Sequence, residues 1–232
     1  MKKPSPRKTA KAVKPSSKSL GQVAYERLLE ALVQGTLGPG DRISVNGLAD
    51  AMELSRTPVR EAISVLETEG LIVHEPGTSG RRVAQLDHQM VNELTEIRIV
   101  LERAGVAMAA QNASQAEIEV LRELVDMEKA VMGDPARRAR LNDRFHDAVH
   151  RCAHNRYLNR TLAALQSPML LLGPATAHDP KRLRDAHAEH RELVEAIARR
   201  DVDAAQEVIT RHLVGGQRVR IAHLLQALRD DC

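Results

Sequence analysis

Histidines are concentrated in the second half of this 232-residue chain, where seven of the ten lie between residues 142 and 212. The seven are His146, His150, His154, His178, His187, His190 and His212. Asn142, His146 and His150 are spaced four residues apart, so they share one face of a helix. Two imidazoles on one face, joined by histidines from other helices, can bind a divalent metal ion inside a helical bundle. A surface or hydrogen-bonded histidine is the alternative for each one, and spacing alone does not select the ligands.

A second chemically distinctive stretch, Leu54–Gly70, contains a helix that opens with hydroxyl and arginine side chains. Thr57 is predicted to be its N-cap and Pro58 its first residue, and Gly70 is predicted to end it. Its apolar face consists of Val59, Ala62, Ile63 and Leu66, with Arg56, Arg60 and Ser64 on other faces. Hydroxyl groups and N-terminal N–H groups bind phosphate, and a guanidinium group matches the O6/N7 edge of guanine. The stretch therefore suits double-stranded DNA, although a solvated surface helix is the alternative.

The neighbouring segments predict a winged helix-turn-helix around this helix. Gly47–Met52 is predicted to be a short helix that a tight turn joins to the DNA-suited helix. Two apolar runs, Leu71–His74 and Arg82–Ala84, flank a turn rich in Pro and Gly, so they predict a hairpin that forms the wing. Upstream, a helix is predicted from Leu20 to about Gln34, and its expected buried residues are Val23, Leu28, Leu32 and Val33.

From His88 onward the chain is predicted to be helical throughout. The six expected helices are Met90–Gln111, one from the capping box Ser114–Glu117 to about Met132, one from Asp134-Pro135 to about Ala153, one from Asn155 to near Gly173, one from Asp179-Pro180 to about Arg200, and Val202–Leu228. Gly215-Gly216 is expected to be a weak point of the last helix. The predicted fold class is mainly α, an N-terminal winged helix-turn-helix (residues 20–84), a linker (85–87) and a C-terminal antiparallel all-helical bundle (88–230).

Composition narrows the class of protein further. The chain has no apolar run long enough to span a membrane and no signal-peptide core, and its two cysteines, Cys152 and Cys232, are far apart. A cytoplasmic protein is therefore expected. With two Tyr, one Phe and no Trp, the chain lacks the aromatic platforms of single-strand binders. Residues 1–20 carry seven basic and no acidic side chains, so residues 1–19 are predicted to be a disordered tail that attracts phosphate or only aids solubility.

The segment Ala24–Leu71 resembles the DNA-binding domain of the GntR family of bacterial transcription regulators. The most specific pieces are Pro39–Ile43 (PGDRI) and Ser55–Ala62 (SRTPVREA). The resemblance implies that Arg56, Thr57 and Arg60 contact operator DNA, and that Asn46 stands where some members have a DNA-contacting arginine. The complete set of predicted DNA-binding residues is Ser55, Arg56, Thr57 and Arg60 on the helix, Asn46 before it, and Gly77, Arg81 and Arg82 on the wing.

The segment from about Met90 to Leu213 is similar to the all-helical FCD-type effector domain of the FadR-like branch of that family. The pieces that carry the resemblance are Glu96–Arg98 with Leu101-Glu102, Asn142–His146 with Asn155, His190–Glu192 with Ala196-Ile197, and Arg211–Leu213. It implies a divalent metal ion (Zn, Ni or Mn) bound by Asn142, His146, His190 and His212. Members more often have Asp where this chain has Asn142, so the site should be more positive and bind metal more weakly.

The resemblance also implies a small organic acid as effector, with an acyl-CoA thioester as a known departure within the family. Arg98 matches a family arginine near the pocket and is assigned to the acid's carboxylate, with an ion pair to a nearby Glu as the alternative. The prediction is a homodimeric transcription regulator, a repressor rather than an activator, that is not an enzyme and binds a pseudo-palindromic operator. A metal-dependent hydrolase and an architectural DNA-binding protein are the alternatives, but the chain lacks a His-Glu-x-x-His motif, and a purely architectural role leaves the histidines unexplained.

Overall fold

The computed structural model describes residues 18–131, 133–171 and 179–230. Within the first range, the N-terminal part consists of α1 (Leu20–Gln34), β1 (Arg42–Ile43), α2 (Val45–Met52), α3 (Arg56–Thr68), β2 (Ile72–His74) and β3 (Arg81–Val83). The strands form an antiparallel sheet in the order β1-β3-β2. This is a winged helix-turn-helix, as predicted, with α2 and α3 as its two helices and β2–β3 as its wing. Strand β1 was not predicted, because two residues are too short to show an alternating pattern.

Helix α3 begins earlier than predicted, because Ser55 and not Thr57 is its N-cap residue. Ser55 has an extended backbone, and the helix starts at Arg56. Pro58 is therefore the third helical residue. A proline is tolerated there as well as at the first position, because the N–H groups of the first helical turn have no partner within the helix. At the other end Gly70 stops the helix as predicted. It has φ +75°, and the N–H groups of Gly70 and Leu71 donate to Glu67 and Leu66, which is a Schellman motif.

Helix α1 has the predicted bounds, but two of its four predicted core residues are not buried. Ala24, Leu28 and Leu32 are buried and follow one another at four-residue spacing, whereas Val23 is only half-buried and Val33 is exposed. Val33 follows Leu32 directly, so its side chain points about 100° away around the helix. The buried face packs with Val59, Ala62, Ile63 and Leu66 of α3 and with the wing residues Leu71, Ile72 and Val83.

The second half is a bundle of six helices within the described residues, as the sequence predicts. They are α4 (His88–Asn112), α5 (Gln115–Ala130), α6 (Pro135–Cys152), α7 (Arg156–Leu170), α8 (Pro180–Ala198) and α9 (Val202–Asp230). The predicted N-caps Ser114, Asp134, Asn155 and Asp179 all accept hydrogen bonds from the first turns of their helices. Asp87 caps α4, which therefore starts two residues before Met90. The predicted ends at Met132 and Gly173, like His178 and tail residues 1–17, lie outside the described residues.

Helix α9 continues without a break through Gly215-Gly216, where the sequence predicts a weak point. The guanidinium group of Arg182 from α8 lies against the helix at Gly215. A Cβ atom at position 215 would stand 3.2 Å from the Arg182 Cζ atom. The glycine therefore provides room for a buried arginine, and packing with α4 and α8 holds α9 helical despite the low helix propensity of glycine.

Helices α4, α5, α6, α8 and α9 enclose the main core of the bundle. Phe145, the only phenylalanine of the chain, is fully buried there with Leu121, Leu193, Ile197 and Ile209. The core surrounds a group of buried polar side chains that includes His190 and Glu128. Among the described residues, no helix has both the length and the apolar character needed to cross a membrane.

We expect Leu66→Ala to lower the free energy of unfolding by about 2–5 kcal/mol, because Leu66 is fully buried and its truncation leaves a cavity. Val65→Ala is the matched control, because Val65 is the residue before Leu66 and its side chain is 47% exposed. Urea unfolding monitored by circular dichroism measures both. Equal effects of the two substitutions would contradict this orientation of α3.

Candidate functional site

The start of α3 forms an exposed surface of hydroxyl and guanidinium groups. Ser55, Arg56, Thr57 and Arg60 are all exposed, while the opposite face of the helix is buried in the N-terminal core. Within the part of the chain that the structure describes, neither Arg56 nor Arg60 has a hydrogen-bond or ion-pair partner. Asn46 is exposed on α2, and Gly77 lies in the wing turn with φ +76°. The two α3 arginines are thus available to a ligand without breaking an existing contact.

The two wing arginines are placed differently, because both are bound to glutamates. Arg81 donates through Nε to Glu67 of α3 at 2.5 Å. Arg82 donates to Glu75 at 2.5 and 3.0 Å and to the carbonyl of Gly40 at 2.9 Å. The Arg82 hydrogen bond also lowers the pKa of Glu75. These contacts hold the wing against α3 and the Gly40 loop. The positive charges of Arg81 and Arg82 are therefore partly neutralised in the absence of DNA.

Three of the predicted metal ligands come together in the bundle. His146 of α6, His190 of α8 and His212 of α9 are 6%, 1% and 9% exposed, and one ring nitrogen from each lies within 4.8 Å of the other two. The ring centroids are separated by 4.7 to 5.4 Å, and Phe145 stacks on His190 at 4.2 Å. We call these three residues the histidine set.

Asn142, the fourth predicted ligand, lies one helical turn before His146 on α6 and is half-buried. Its amide Nδ2 donates to Asp143 at 3.4 Å. Its place among the ligands stays a prediction. Of the other predicted histidines, His154 is exposed and pairs with Glu117, and His187 lies beside Glu128 at 3.3 Å. His150 is buried, and its Nε2 lies 3.2 Å from Glu102.

A buried glutamate faces the Nδ1 atom of each member of the histidine set. His190 Nδ1 lies 2.8 Å from Glu128 of α5, and His212 Nδ1 lies 2.9 Å from Glu189 of α8. His146 Nδ1 lies 3.6 Å from Glu102 of α4, which is too far for a hydrogen bond. A carboxylate that accepts the Nδ1 proton leaves Nε2 as the free lone pair, the arrangement that orients histidines bound to metals.

Burial keeps His190 and His212 neutral. It lowers the pKa of His190 to about 4, against the opposing effect of Glu128. Burial, together with the charges of His190, His146 and Arg182, lowers the pKa of His212 well below its ordinary value. For Glu128, burial acts to raise the pKa, but the hydrogen bond from His190 and the charges around it lower it overall. At neutral pH the site therefore combines the neutral imidazoles of His190 and His212 with the ionised carboxylate of Glu128.

Two ring nitrogens of the histidine set lack a hydrogen-bond partner. His190 Nε2 and His146 Nδ1 are both buried in this unpaired state. Leaving such atoms unpaired is unfavourable in a folded protein, and neutral imidazole nitrogens within 4.8 Å of one another are suitable ligands for Zn, Ni or Mn. The residues therefore fit a divalent metal.

Arg98, assigned to the effector, is bound in an ion pair with Glu102. Its Nη2 donates to Glu102 Oε1 at 2.7 Å, and its Nη1 lies 3.6 Å from Met169 Sδ. This is the pairing that the sequence left open as the alternative. The carboxylate of an effector would have to share or replace Glu102 at Arg98, and that role of Arg98 stays a prediction.

Sequence reasoning missed the polar partners of the histidines, namely Glu102, Glu128, Arg182 and Glu189. Arg182 donates to Glu189 at 2.8 Å and to the His212 carbonyl at 2.9 Å. One signal was available for Glu128. It continues the apolar stripe Ile118, Leu121, Leu124 and Val125 of α5, and an acidic residue at such a position indicates a buried polar partner.

The fold and the site together define a class of protein, a DNA-binding winged helix joined to a helical bundle with a polar internal site. Comparisons with known proteins identify the family. Residues 20–81 match the description "Bacterial regulatory proteins, gntR family", and residues 93–215 match the FCD domain. The chain therefore belongs to the GntR family of bacterial regulatory proteins, within the group that carries an FCD domain, and it is a transcriptional regulator.

Individual relatives agree with this assignment. The HTH-type regulator YdhC of Bacillus subtilis (strain 168) is 29% identical, covering 81% of this chain and 85% of that protein. A probable D-xylose utilization operon transcriptional repressor of Paenarthrobacter nicotinovorans is 32% identical over 78% and 80%. Among solved structures, E. coli McbR/YncC has a TM-score of 0.75 at 22% identity, covering 90% of this chain and 100% of that one. At that identity the structural likeness shows the fold alone.

We expect His190 to carry its proton on Nδ1 at neutral pH in the metal-free protein, because Glu128 accepts it there. Two-bond nitrogen–proton NMR couplings report the tautomer. Because the folded pKa of about 4 is below the unfolded value, His190 contributes stability that is present above about pH 6.5 and is lost as the pH falls towards 4. Glu128→Gln should remove the tautomer preference, and Glu119→Gln, an exposed site on the same helix, should not. A proton on Nε2 in the wild type would contradict the assignment.

Proposed function

We propose that this transcriptional regulator is a homodimeric, metal-containing repressor whose affinity for its operator is controlled by a small organic acid. The observation that carries the proposal is the histidine set, in which three buried imidazoles from three helices meet and two of them have a partnerless ring nitrogen. A domain used only for dimerisation has no need of such a set. The proposed division is a DNA-binding domain (20–84), a linker (85–87) and a bundle (88–230), with the predicted basic tail before them.

His146, His190 and His212 would hold the metal, with Asn142 as the fourth protein ligand. When bound, the metal supplies a positive charge that attracts a carboxylate oxygen. The surrounding residues fix the imidazoles, because Glu128 accepts the Nδ1 proton of His190, and Glu189 and Arg182 both lie within hydrogen-bond distance of His212 Nδ1. Phe145 stacks on His190 and excludes water from that side. The neutral Asn142 leaves more net positive charge on the centre than an aspartate would, which favours an anionic effector.

Arg98 would bind the other carboxylate oxygen of the effector in this proposal. It lies on the face of α4 that carries Glu102, and Glu102 lies 3.6 Å from His146 Nδ1, so Arg98 and the histidine set border the same region. A guanidinium group binds a carboxylate in a bidentate manner. An acid that binds both the metal and Arg98 has to displace Arg98 from Glu102, which links effector binding to a change at α4.

The position of Arg98 gives that change two routes to the DNA-binding part. Helix α4 starts at His88, five residues after the wing strand β3 ends. Arg98 also contacts Met169 at the end of α7, and Leu170 and Leu171, which follow it, pack in the N-terminal hydrophobic cluster. A shift of α4 or of the end of α7 would therefore alter how the winged helix is held. Allosteric coupling of about 1–3 kcal/mol, roughly 5–150-fold in affinity, is typical.

Two copies of the chain are proposed to bind one operator. Winged helix-turn-helix domains place one helix in the major groove, and a two-fold dimer matches a pseudo-palindromic site. The exposed start of α3, with Arg56, Thr57 and Arg60, is the proposed reading surface. Repression is proposed because relatives are named as repressors, among them NanR of Citrobacter rodentium at 24% identity. That assignment remains a proposal for this chain.

Arg56→Ala and Arg60→Ala should each weaken operator binding by about 1–3 kcal/mol for every base edge that the arginine no longer reaches. Fluorescence anisotropy at constant salt measures this, on an operator that the wild-type protein selects from a random DNA pool. Arg160→Ala is the matched control, because Arg160 is an exposed arginine of α7 in the bundle. Unchanged operator affinity in both α3 variants would remove this helix from the reading surface.

A thermal-shift screen against small carboxylates, with and without Zn²⁺, Ni²⁺ or Mn²⁺, tests the effector proposal. Binding to the folded state stabilises it, by about 2.7 kcal/mol at one hundred times Kd. We expect one class of acid to raise Tm only when metal is present. His190→Ala should lose stoichiometric metal and this response, whereas His223→Ala, exposed on α9, should keep both. No shift with any acid on the metal-loaded protein would refute the acid effector, and full metal retention in His190→Ala would refute the ligand set.

A further inference from the structure

Glu102 and His150 form a second ligand set around His146. Glu102, His146 and His150 each offer one ligand atom, and these atoms lie within 4.8 Å of one another. All three side chains are buried. We call them the acidic set, to distinguish them from the histidine set of His146, His190 and His212. The two sets share one residue, His146.

The geometry of the acidic set is suited to a cation. His146 and His150 are four residues apart on α6, with ring centroids separated by 6.2 Å. Glu102 Oε2 lies between them, 3.6 Å from His146 Nδ1 and 3.2 Å from His150 Nε2. His146 Nδ1 is buried beside this carboxylate and yet has no hydrogen-bond partner. A buried, partnerless nitrogen next to a carboxylate and a second imidazole is an independent indication of a ligand.

We propose that the acidic set is a second binding site for a divalent cation, and that it competes with the histidine set for His146. A neutral imidazole has one lone pair, because its other nitrogen carries the proton. His146 can therefore serve one ion at a time, through Nε2 in the histidine set or through Nδ1 in the acidic set. Two imidazoles and one carboxylate are ligands that Zn²⁺ and Mn²⁺ both accept.

The acidic set supplies the negative charge that the histidine set lacks. Asn142 is neutral, and so are His190 and His212, whereas Glu102 is ionised. Burial acts to raise the pKa of Glu102, but the neighbouring His146 and His150 and the charge of Arg98 place that pKa well below its ordinary value. A hard cation such as Mn²⁺ gains more from this carboxylate than from a further imidazole.

Occupation of the acidic set would change the state of Arg98. Glu102 Oε1 accepts a hydrogen bond from Arg98 at 2.7 Å, and Oε2 faces the two histidines. A cation on Oε2 takes up part of the negative charge that binds Arg98, which makes the guanidinium group more available to an effector carboxylate. This consequence rests on the proposed effector function, but cation binding by the acidic set does not.

Titration with Mn²⁺ alone, followed by the electron paramagnetic resonance signal of the free ion, tests the proposal. His190→Ala removes the histidine set and should leave a weaker site. Adding His150→Ala or Glu102→Gln to that variant should weaken the remaining binding at least about tenfold. Adding His154→Ala should not, because His154 lies four residues further along the chain, is exposed, and pairs with Glu117 instead.

The possible outcomes separate the two proposals. If the wild type binds no divalent cation, the metal-containing function proposed above fails. If the wild type binds and His190→Ala has the same residual affinity with and without His150→Ala, the acidic set is refuted while the histidine set stands. Because Glu102→Gln places an amide beside Arg98 and could prevent folding, His150→Gln provides a second test. It keeps a donor for Glu102, removes the imidazole, and should lose the residual site as fully as His150→Ala.

Discussion

The burial of three imidazoles constrains five helices at once. A buried imidazole needs hydrogen-bond partners, and they come from Glu128 of α5 for His190 and from Glu189 and Arg182 of α8 for His212, with Glu102 of α4 beside the third ring. A buried carboxylate in turn needs positive charge. Arg98 supplies it to Glu102 and Arg182 supplies it to Glu189, while the charge of Arg138 acts on Glu128. Each histidine is thus linked to a carboxylate and through it to an arginine, and removing one member leaves its neighbour buried and unpaired. The bundle helices are therefore held in position by polar contacts as well as by the apolar core around Phe145.

Gly215 shows how this polar network determines local sequence. Helix propensity alone makes a glycine pair in the middle of α9 unfavourable by about 1 kcal/mol for each residue relative to alanine. The guanidinium group of Arg182 lies against Gly215, with its Cζ atom 3.2 Å from where a Cβ atom would stand, and it reaches both Glu189 and the carbonyl of His212. The glycine lowers the intrinsic stability of α9 but permits the contact that orients His212. A residue that weakens the helix locally is thus required by a site formed between α8 and α9.

The sequence predicted local features well, because local features depend on neighbouring residues. Four bundle helices begin at the predicted caps, since Ser, Asp and Asn side chains bond N–H groups two or three residues away. The three histidines were predicted through resemblance, and the structure brings them together. Their carboxylate partners could not be predicted in this way. Glu128 meets His190 from 62 positions away, and that pairing depends on how α5 and α8 pack and not on any spacing in the chain. The predictions that Val33 is buried and that Thr57 is an N-cap failed for a simpler reason. A shift of one or two positions changes the helix face or the cap residue but leaves the hydrophobic pattern almost unchanged.

We expect the arginines of the winged helix to contribute to DNA binding in two different ways. Arg81 and Arg82 are neutralised by Glu67 and Glu75, so a phosphate that approaches the wing has to compete with a carboxylate already in place. Arg56 and Arg60 have no such competitor among the described residues and stand at the N-terminal end of α3, where the helix dipole also favours phosphate. An arginine that gives up no ion pair contributes its full interaction to a base edge, whereas one that exchanges partners contributes only the difference. The sequence-reading contribution is therefore expected from α3. The wing is better suited to positioning, because the ion pair between Arg81 and Glu67 joins β3 to α3.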